Sequence, residues 1–174
     1  MDETTPARTI DAAWADEFAD RWANAWNSHR AERVFEFLTD DIVWDDSAWP
    51  NTMRGKAAVR EFLDNTWRAF PDQTLEAFGA AHVAADGRRA AFWWRGHATH
   101  LGPTAPSGIP ATGKRLEFEG AEFHEYRDGK IARLRVVFDI NDLAMQLGVV
   151  PKQGSMVQKM LVGMLKLRSR FRRS

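Results

Sequence analysis

The sequence contains no cysteine. That absence excludes a disulfide framework, a thiolate metal site and a cysteine nucleophile, and it agrees with a reducing compartment. No apolar run approaches the roughly 20 residues needed to span a bilayer. The opening Met1-Asp2-Glu3-Thr4-Thr5 lacks the basic start and apolar core of a signal peptide, so a cytoplasmic protein is expected. The histidines lack paired ligand spacing, and there is no phosphate-binding glycine loop or nucleotide fingerprint. Neither a metal nor a cofactor is expected. Tyrosine is also scarce: there is one, against eight tryptophans and eleven phenylalanines. The aromatic excess has two readings, a large aromatic core or an aromatic-walled pocket for a flat apolar ligand.

The chain has 174 residues, 44% hydrophobic and 28% charged, which predicts one globular domain with a sizeable core. Its formal net charge of zero conceals an asymmetry. Residues 151–174 hold seven of the 24 Lys/Arg and none of the 24 Asp/Glu, so residues 1–150 carry 17 basic and 24 acidic groups, a formal −7. An acidic body argues against nucleic-acid binding. The organisation expected is a domain over 1–150 and a basic amphipathic tail over 151–174.

Ile10, Trp14, Phe18, Trp22 and Trp26 step by four, which predicts a helix over 10–29 capped by Thr9 or Asp11. A short helix over 30–38 and a strand over 42–46 follow. A third helix over 55–69 stops at Pro71. From Leu75 the pattern alternates. Strands are expected over 74–85 and 88–101 around an Asp86-Gly87 turn, then over 114–126 and 130–138. The Pro- and Gly-rich segment 102–111 is a loop, a candidate lip. A helix over 140–147 ends at Gly148, a natural C-cap. Helices followed by a run of strands predict an α+β domain, with helices on one face of a curved antiparallel sheet.

Residues 112–148 are the most informative stretch. Alternation puts Leu116, Phe118, Gly120, Glu122, His124 and Tyr126 on one strand face, apolar at one end and ionisable at the other. A ligand cavity with acid/base chemistry would need such a face, and an ordinary sheet rim would also have it. Ile42, Trp44 and Asp46 share a face of the short strand.

The chain resembles the SnoaL-like polyketide cyclases within the nuclear transport factor two-like fold. The likeness rests on Trp26-Asn27, Thr39-Asp40-Asp41-Ile42-Val43-Trp44, Arg54-Gly55 with Ala58-Val59-Arg60-Glu61-Phe62, and Phe70-Pro71-Asp72. It continues in Thr99-His100-Leu101-Gly102, Ala111-Thr112-Gly113-Lys114, Asp128-Gly129-Lys130-Ile131 and Gln146-Leu147-Gly148. It implies a cone-shaped, cystatin-like barrel, its sheet wrapped around the N-terminal helices, and a homodimer. The fold hosts isomerases, cyclases, epoxide hydrolases, dehydratases and non-catalytic binders. Asp46 matches the general base of steroid delta-isomerases. Glu122 falls near their neutral-acid oxyanion donor, and Trp22 near their tyrosine. Cyclases and epoxide hydrolases carry a functional Asp where this chain has Val136, three residues before Asp139.

The candidate catalytic residues are therefore Asp46, Glu122 and His124. The candidate substrate-binding residues are Trp22, Trp44, Trp94, His100, Phe118, Val136 and Phe138. Each has a structural alternative: Asp46 as a turn residue, Glu122 and His124 as a cross-strand polar pair, His100 as a structural strand-end histidine. Asp139 reads as a helix cap. The function expected is cofactor-independent acid/base chemistry, of cyclase or isomerase type, on a bulky apolar carbonyl compound. The alternative is a non-catalytic small-molecule binder or accessory protein with the same pocket. In the tail, Met156, Met160, Leu161, Met164 and Leu165 predict a helix over 154–168, packed on the domain or a second subunit. An anionic membrane is the competing partner. The basic end, Arg168 to Arg173, is expected to fray or rest on acidic surface.

Overall fold

The computed structural model describes residues 9–171, and the side chains of these except 167 and 169–171. The signal-peptide reading of Met1–Thr5 and the placement of Arg172 and Arg173 lie outside the described residues. In order come α1 (Ala12–Asn27), α2 (Ala31–Phe35), β1 (Leu38–Asp46), β2 (Met53–Arg54), α3 (Gly55–Ala69) and β3 (Thr74–Val83). Then follow β4 (Arg89–Thr99), β5 (Arg115–Arg127), β6 (Lys130–Phe138), α4 (Ile140–Leu147) and α5 (Met156–Phe171).

The row of four-spaced aromatics makes α1 what it is. Asp11 caps the helix, accepting a hydrogen bond from the Trp14 backbone N–H at 2.8 Å. Phe18, Trp22 and Trp26 are buried beneath it. Polar side chains then fix the helix against β3, at the edge of the sheet. Asn27 donates to the Leu75 carbonyl at 2.7 Å and accepts from the Leu75 N–H at 2.8 Å. Asp16 accepts from the Ala81 N–H at 2.7 Å. These groups partner strand-edge atoms much as another strand would, so α1 both covers the edge and fixes Trp22 over the sheet.

The sheet has six strands in the order β2-β1-β6-β5-β4-β3. It is curved and not closed into a barrel. It also departs from the expected purely antiparallel arrangement, because β1 runs parallel to β6 while the other neighbours are antiparallel. A parallel pair needs a long crossover, and everything from β2 to β5 provides it. Register shifts in β1 between Leu38 and Val43, and in β3 between Phe78 and His82, bend the sheet around the helices. The β5–β6 hairpin turns at Asp128 and Gly129, with φ of 53° and 74°. Asp and Gly suit the positive φ values that such a turn requires.

Helix α4 forms where the sequence predicts it. Asp139 accepts from the Asp142 N–H at 2.9 Å, and Gly148 closes the helix at φ 82°. Gln146 pins α4 to the start of β5 by bonding both the N–H and the carbonyl of Glu117, at 3.0 and 2.7 Å.

The tail is helical, as expected. Met156, Met160, Leu161, Met164 and Leu165 are all exposed. Pro151 and Gly154, the latter at φ 74°, separate α5 from the body. Among the described residues, the domain does not bury this stripe.

Candidate active site

The helices and the concave face of the sheet enclose a cavity of about 310 Å³. Its position follows from alternation on three neighbouring strands. On β1, Trp44 is buried and Asp46 faces the cavity. On β5, Glu122 is 6% exposed on the cavity side, while Phe123 is 49% exposed on the outer face. On β6, Val136 and Phe138 complete the floor. Asp46 pairs with Val136 across β1–β6, and Glu122 pairs with the same Val136 across β5–β6. Strand spacing of about 4.8 Å puts the two carboxylate-bearing positions about 10 Å apart on one floor, with a valine between them.

Trp94 and Phe118 form a wall. Gly120 makes room for it: a Cβ there would lie 2.3 Å from the Trp94 ring and 2.7 Å from the Val137 carbonyl. Helix α3 lines the opposite side with Phe62, Thr66 and Ala69, and the rim is built from Ile140, Leu143, Leu147, Val149 and the loop around Thr104–Ile109. Trp26, Trp44 and Trp94 are buried core residues that also line the cavity.

Asp46 is half-buried at the end of β1, where its Oδ1 accepts from the Ala48 N–H at 2.8 Å. Burial against apolar groups pushes its carboxyl up to about 7. The Ala48 N–H opposes this rise, and the charge of Glu122 adds to it. The Trp44 indole N–H also favours the ionised form of Asp46, although it has no partner within hydrogen-bonding geometry.

Glu122 begins a buried polar chain. Its Oε2 accepts from the Trp22 indole N–H at 2.8 Å and lies 2.8 Å from His124 Nε2. His124 Nδ1 lies 3.0 Å from the Tyr126 hydroxyl. Both bonds of Glu122 fall on Oε2, so Oε1 is the oxygen left to meet a ligand. The rings of Phe18, Trp22 and Phe92 surround His124, with centroids 6.0, 5.9 and 4.9 Å away. Burial pushes the Tyr126 phenol upward, with the Glu122 charge adding to it. The phenol therefore stays protonated and can donate to Nδ1. With Nε2 then carrying the imidazole proton, Glu122 and His124 can share a proton along Oε2···Nε2.

Of the residues expected in the site, Trp44, Asp46, Trp94, Phe118, Glu122, Val136 and Phe138 line the cavity. Trp22 and His124 sit behind Glu122 and support it rather than lining the space. His100 is elsewhere. It is fully buried, its ring packs on Phe70 at 5.2 Å, and its Nδ1 accepts from the Thr112 N–H. Its backbone bonds Gly113 and Lys114. Burial lowers its pKa, which keeps the ring neutral, and the residue clamps the ends of loop 100–114. The structural alternative for His100 is therefore the one its contacts match. Asp139 is likewise a cap.

Tyr126 was visible in the sequence on the same strand face, yet its role as the end of the Glu122–His124 chain required the fold. The α3 wall gave a weaker signal, since Phe62, Thr66 and Ala69 read only as helix positions. Among the described residues no cluster of three His, Asp or Glu side chains could hold a metal ion.

Comparison with known proteins bears on the fold. AclR from Streptomyces galilaeus, provisionally named a hydroxylase, superposes with a TM-score of 0.69 at 22% identity, over 94% of this chain and 99% of AclR. A Jannaschia sp. CCS1 protein, provisionally named a SnoaL-like polyketide cyclase, gives 0.68 at 15% identity over 83% and 98%. SalBIII, an epoxide hydrolase/cyclase-like enzyme of pyran ring formation in the polyether salinomycin, gives 0.61 at 20% identity over 76% and 95%. No curated protein matches the chain by sequence. The family model for the SnoaL-like domain matches residues 19–134, which include α1, β1 and the Glu122–His124 pair. The chain belongs to the SnoaL-like family of the nuclear transport factor two-like superfamily.

Proposed function

We propose that this protein is an enzyme of cofactor-independent acid/base chemistry, of isomerase or cyclase type, acting on a bulky, mostly apolar carbonyl compound. One observation carries the proposal: a carboxyl group poised at about pH 7 lies in an apolar cavity. A free aspartate is too weak a base to remove a proton next to a carbonyl. Desolvation makes Asp46 a stronger one while leaving a substantial ionised fraction at neutral pH.

In this mechanism the substrate lies over Val136 between the two carboxyl groups. Asp46 takes a proton from the carbon next to the carbonyl, and the electron pair moves onto the carbonyl oxygen. Glu122 Oε1 faces that oxygen and, when Glu122 is protonated, donates to it. Trp22 and His124 fix the carboxyl plane through Oε2. Isomerisation ends when Asp46 returns its proton to another carbon. Ring closure ends when the enolate carbon attacks a second carbonyl, whose oxygen takes the proton. The names of the structural neighbours, polyketide cyclase and epoxide hydrolase/cyclase-like, agree with a substrate of this bulk.

Val136 favours a second reading. The position that carries an Asp in cyclases and epoxide hydrolases is here an apolar floor residue between two carboxylates. A non-catalytic binder would use the same cavity. Exchange of α-protons into deuterated water separates the two, with a panel of polycyclic and polyketide ketones followed by NMR. An enzyme exchanges protons and loses that exchange in Asp46→Asn while still binding. A binder retains the ligand without exchange in either protein.

A further inference from the structure

Helix α5 leaves the domain with an apolar face that stays exposed among the described residues. It has its own start signal: the Ser155 hydroxyl accepts from the Gln158 N–H, and the Gln158 side chain accepts from the Gly154 N–H. Six side chains, Met156, Val157, Met160, Leu161, Met164 and Leu165, are 41–84% exposed. At about 100° per residue they all fall within one half of the helix circumference. Lys159 and Lys166 fall on the other half. Val162 is the apolar exception on the polar side, and Arg168 is the basic exception on the apolar side. No Asp or Glu occurs after Asp142, whereas residues 151–174 contain seven Lys/Arg. No helix among the described residues is long and apolar enough to cross a membrane. An apolar half backed by a lysine-bearing polar half instead matches a helix lying in the plane of an anionic lipid interface.

The rim of the cavity is close to this helix along the chain. Ile140 and Val149 line the cavity and are 41% and 48% exposed, and Val150 is 36% exposed. Five residues, 151–155, connect this rim to α5. Outside α5 and the neighbourhood of the mouth, Trp93, Leu101 and Phe123 are the large exposed apolar side chains among the described residues. They are too few to form a groove on a second copy matched to six side chains. The acidic body would draw the basic half of α5 but leave its apolar half in water.

We infer that α5 lies in the plane of an anionic lipid surface and holds the cavity mouth against it, so that an apolar ligand passes between bilayer and cavity. The inference stands independently of the acid/base reading, since a binder would gain the same access.

The test is co-sedimentation of the full-length chain with vesicles of phosphatidylcholine alone, or of phosphatidylcholine with phosphatidylglycerol. Light scattering of the free protein is run in parallel. Binding to the anionic vesicles is expected to be about tenfold or more stronger than to the neutral ones, and to weaken with salt. Leu161→Asp with Met164→Asp should abolish it. Lys159→Glu with Lys166→Glu should weaken it on anionic vesicles only. Val150→Asp, at the rim, should weaken it severalfold. All five positions are exposed, so melting temperatures should hold. Absence of vesicle binding by the wild type overturns the anchor, as does binding indifferent to Leu161→Asp with Met164→Asp. Dissociation of a dimer by that double variant, in a protein that ignores vesicles, assigns the stripe to a second copy. Anionic binding that survives Val150→Asp unchanged overturns the placement of the mouth.

Discussion

Asp46 and Glu122 face one cavity from either side of Val136, and the charge of Glu122 raises the pKa of Asp46. Neither residue alone defines the site. Asp46 is accessible to a ligand and tuned by burial. Glu122 is locked by Trp22 and His124 and presents a single oxygen. The two roles differ because their neighbours differ.

Replacing Asp46 with Asn should reduce α-proton exchange on a bound ketone by about 10²–10⁴-fold while leaving affinity within a few-fold. Exchange rates by NMR and binding by calorimetry check the two halves. A loss of affinity equal to the loss of rate would mean that Asp46 holds the ligand instead of reacting with it.

The same variant should be more stable than wild type at alkaline pH. The folded-state value of Asp46, about 7, lies above its ordinary 3.8. Its contribution to stability is therefore fully present below pH 4 and is lost as pH rises through 7. Three pKa units correspond to about 4 kcal/mol, and the partial exposure of Asp46 reduces this to roughly 2 kcal/mol. Denaturant unfolding at pH 4 and pH 8 should show the advantage of Asp46→Asn only at pH 8.

Substituting Glu122 with Gln removes a charge that raises the Asp46 pKa. The acid limb of the pH–rate profile should move to lower pH. Carboxyl ¹³C chemical shifts of Asp46 report this effect directly. An unmoved Asp46 titration would show that the two groups do not sense one another.

Val136→Asp inserts a third carboxyl between the other two, at a position that is 5% exposed. Stability should drop by about 3 kcal/mol, and the Asp46 titration should move to higher pH because the like charge is adjacent. Thermal melts and the pH–rate profile measure both. Epoxide-opening or ring-closing activity absent from wild type would identify Val136 as the residue that separates this chain from the cyclases.

Gly120→Ala should push Trp94 into the cavity, since the new Cβ meets its ring at 2.3 Å. Overpacking of this kind costs about 1–3 kcal/mol. Ligand affinity should fall more for large ligands than for small ones, as titrations with a size series would show.

The sequence by itself determined the local elements and the faces. Four-residue steps of aromatics produce α1, and alternation on β1, β5 and β6 sends Asp46, Glu122 and Val136 inward, because periods of 3.6 and 2 are properties of the backbone. Asp139 and Gly148 bound α4 because caps are local hydrogen bonds. What joins distant segments was decided only by tertiary structure. The parallel pairing of β1 with β6 puts Asp46 opposite Val136, 90 residues away in the chain, and no local pattern encodes that register. The Trp22 bond to Glu122 spans 100 residues. His100 reads in sequence as a cavity residue at a strand end, yet the fold turns it against Phe70 and Thr112, because loop 100–114 closes back on itself. The apolar stripe of α5 is legible in the sequence, but its exposure is not. Burial is a property of what packs against a helix, and among the described residues the domain leaves this stripe exposed.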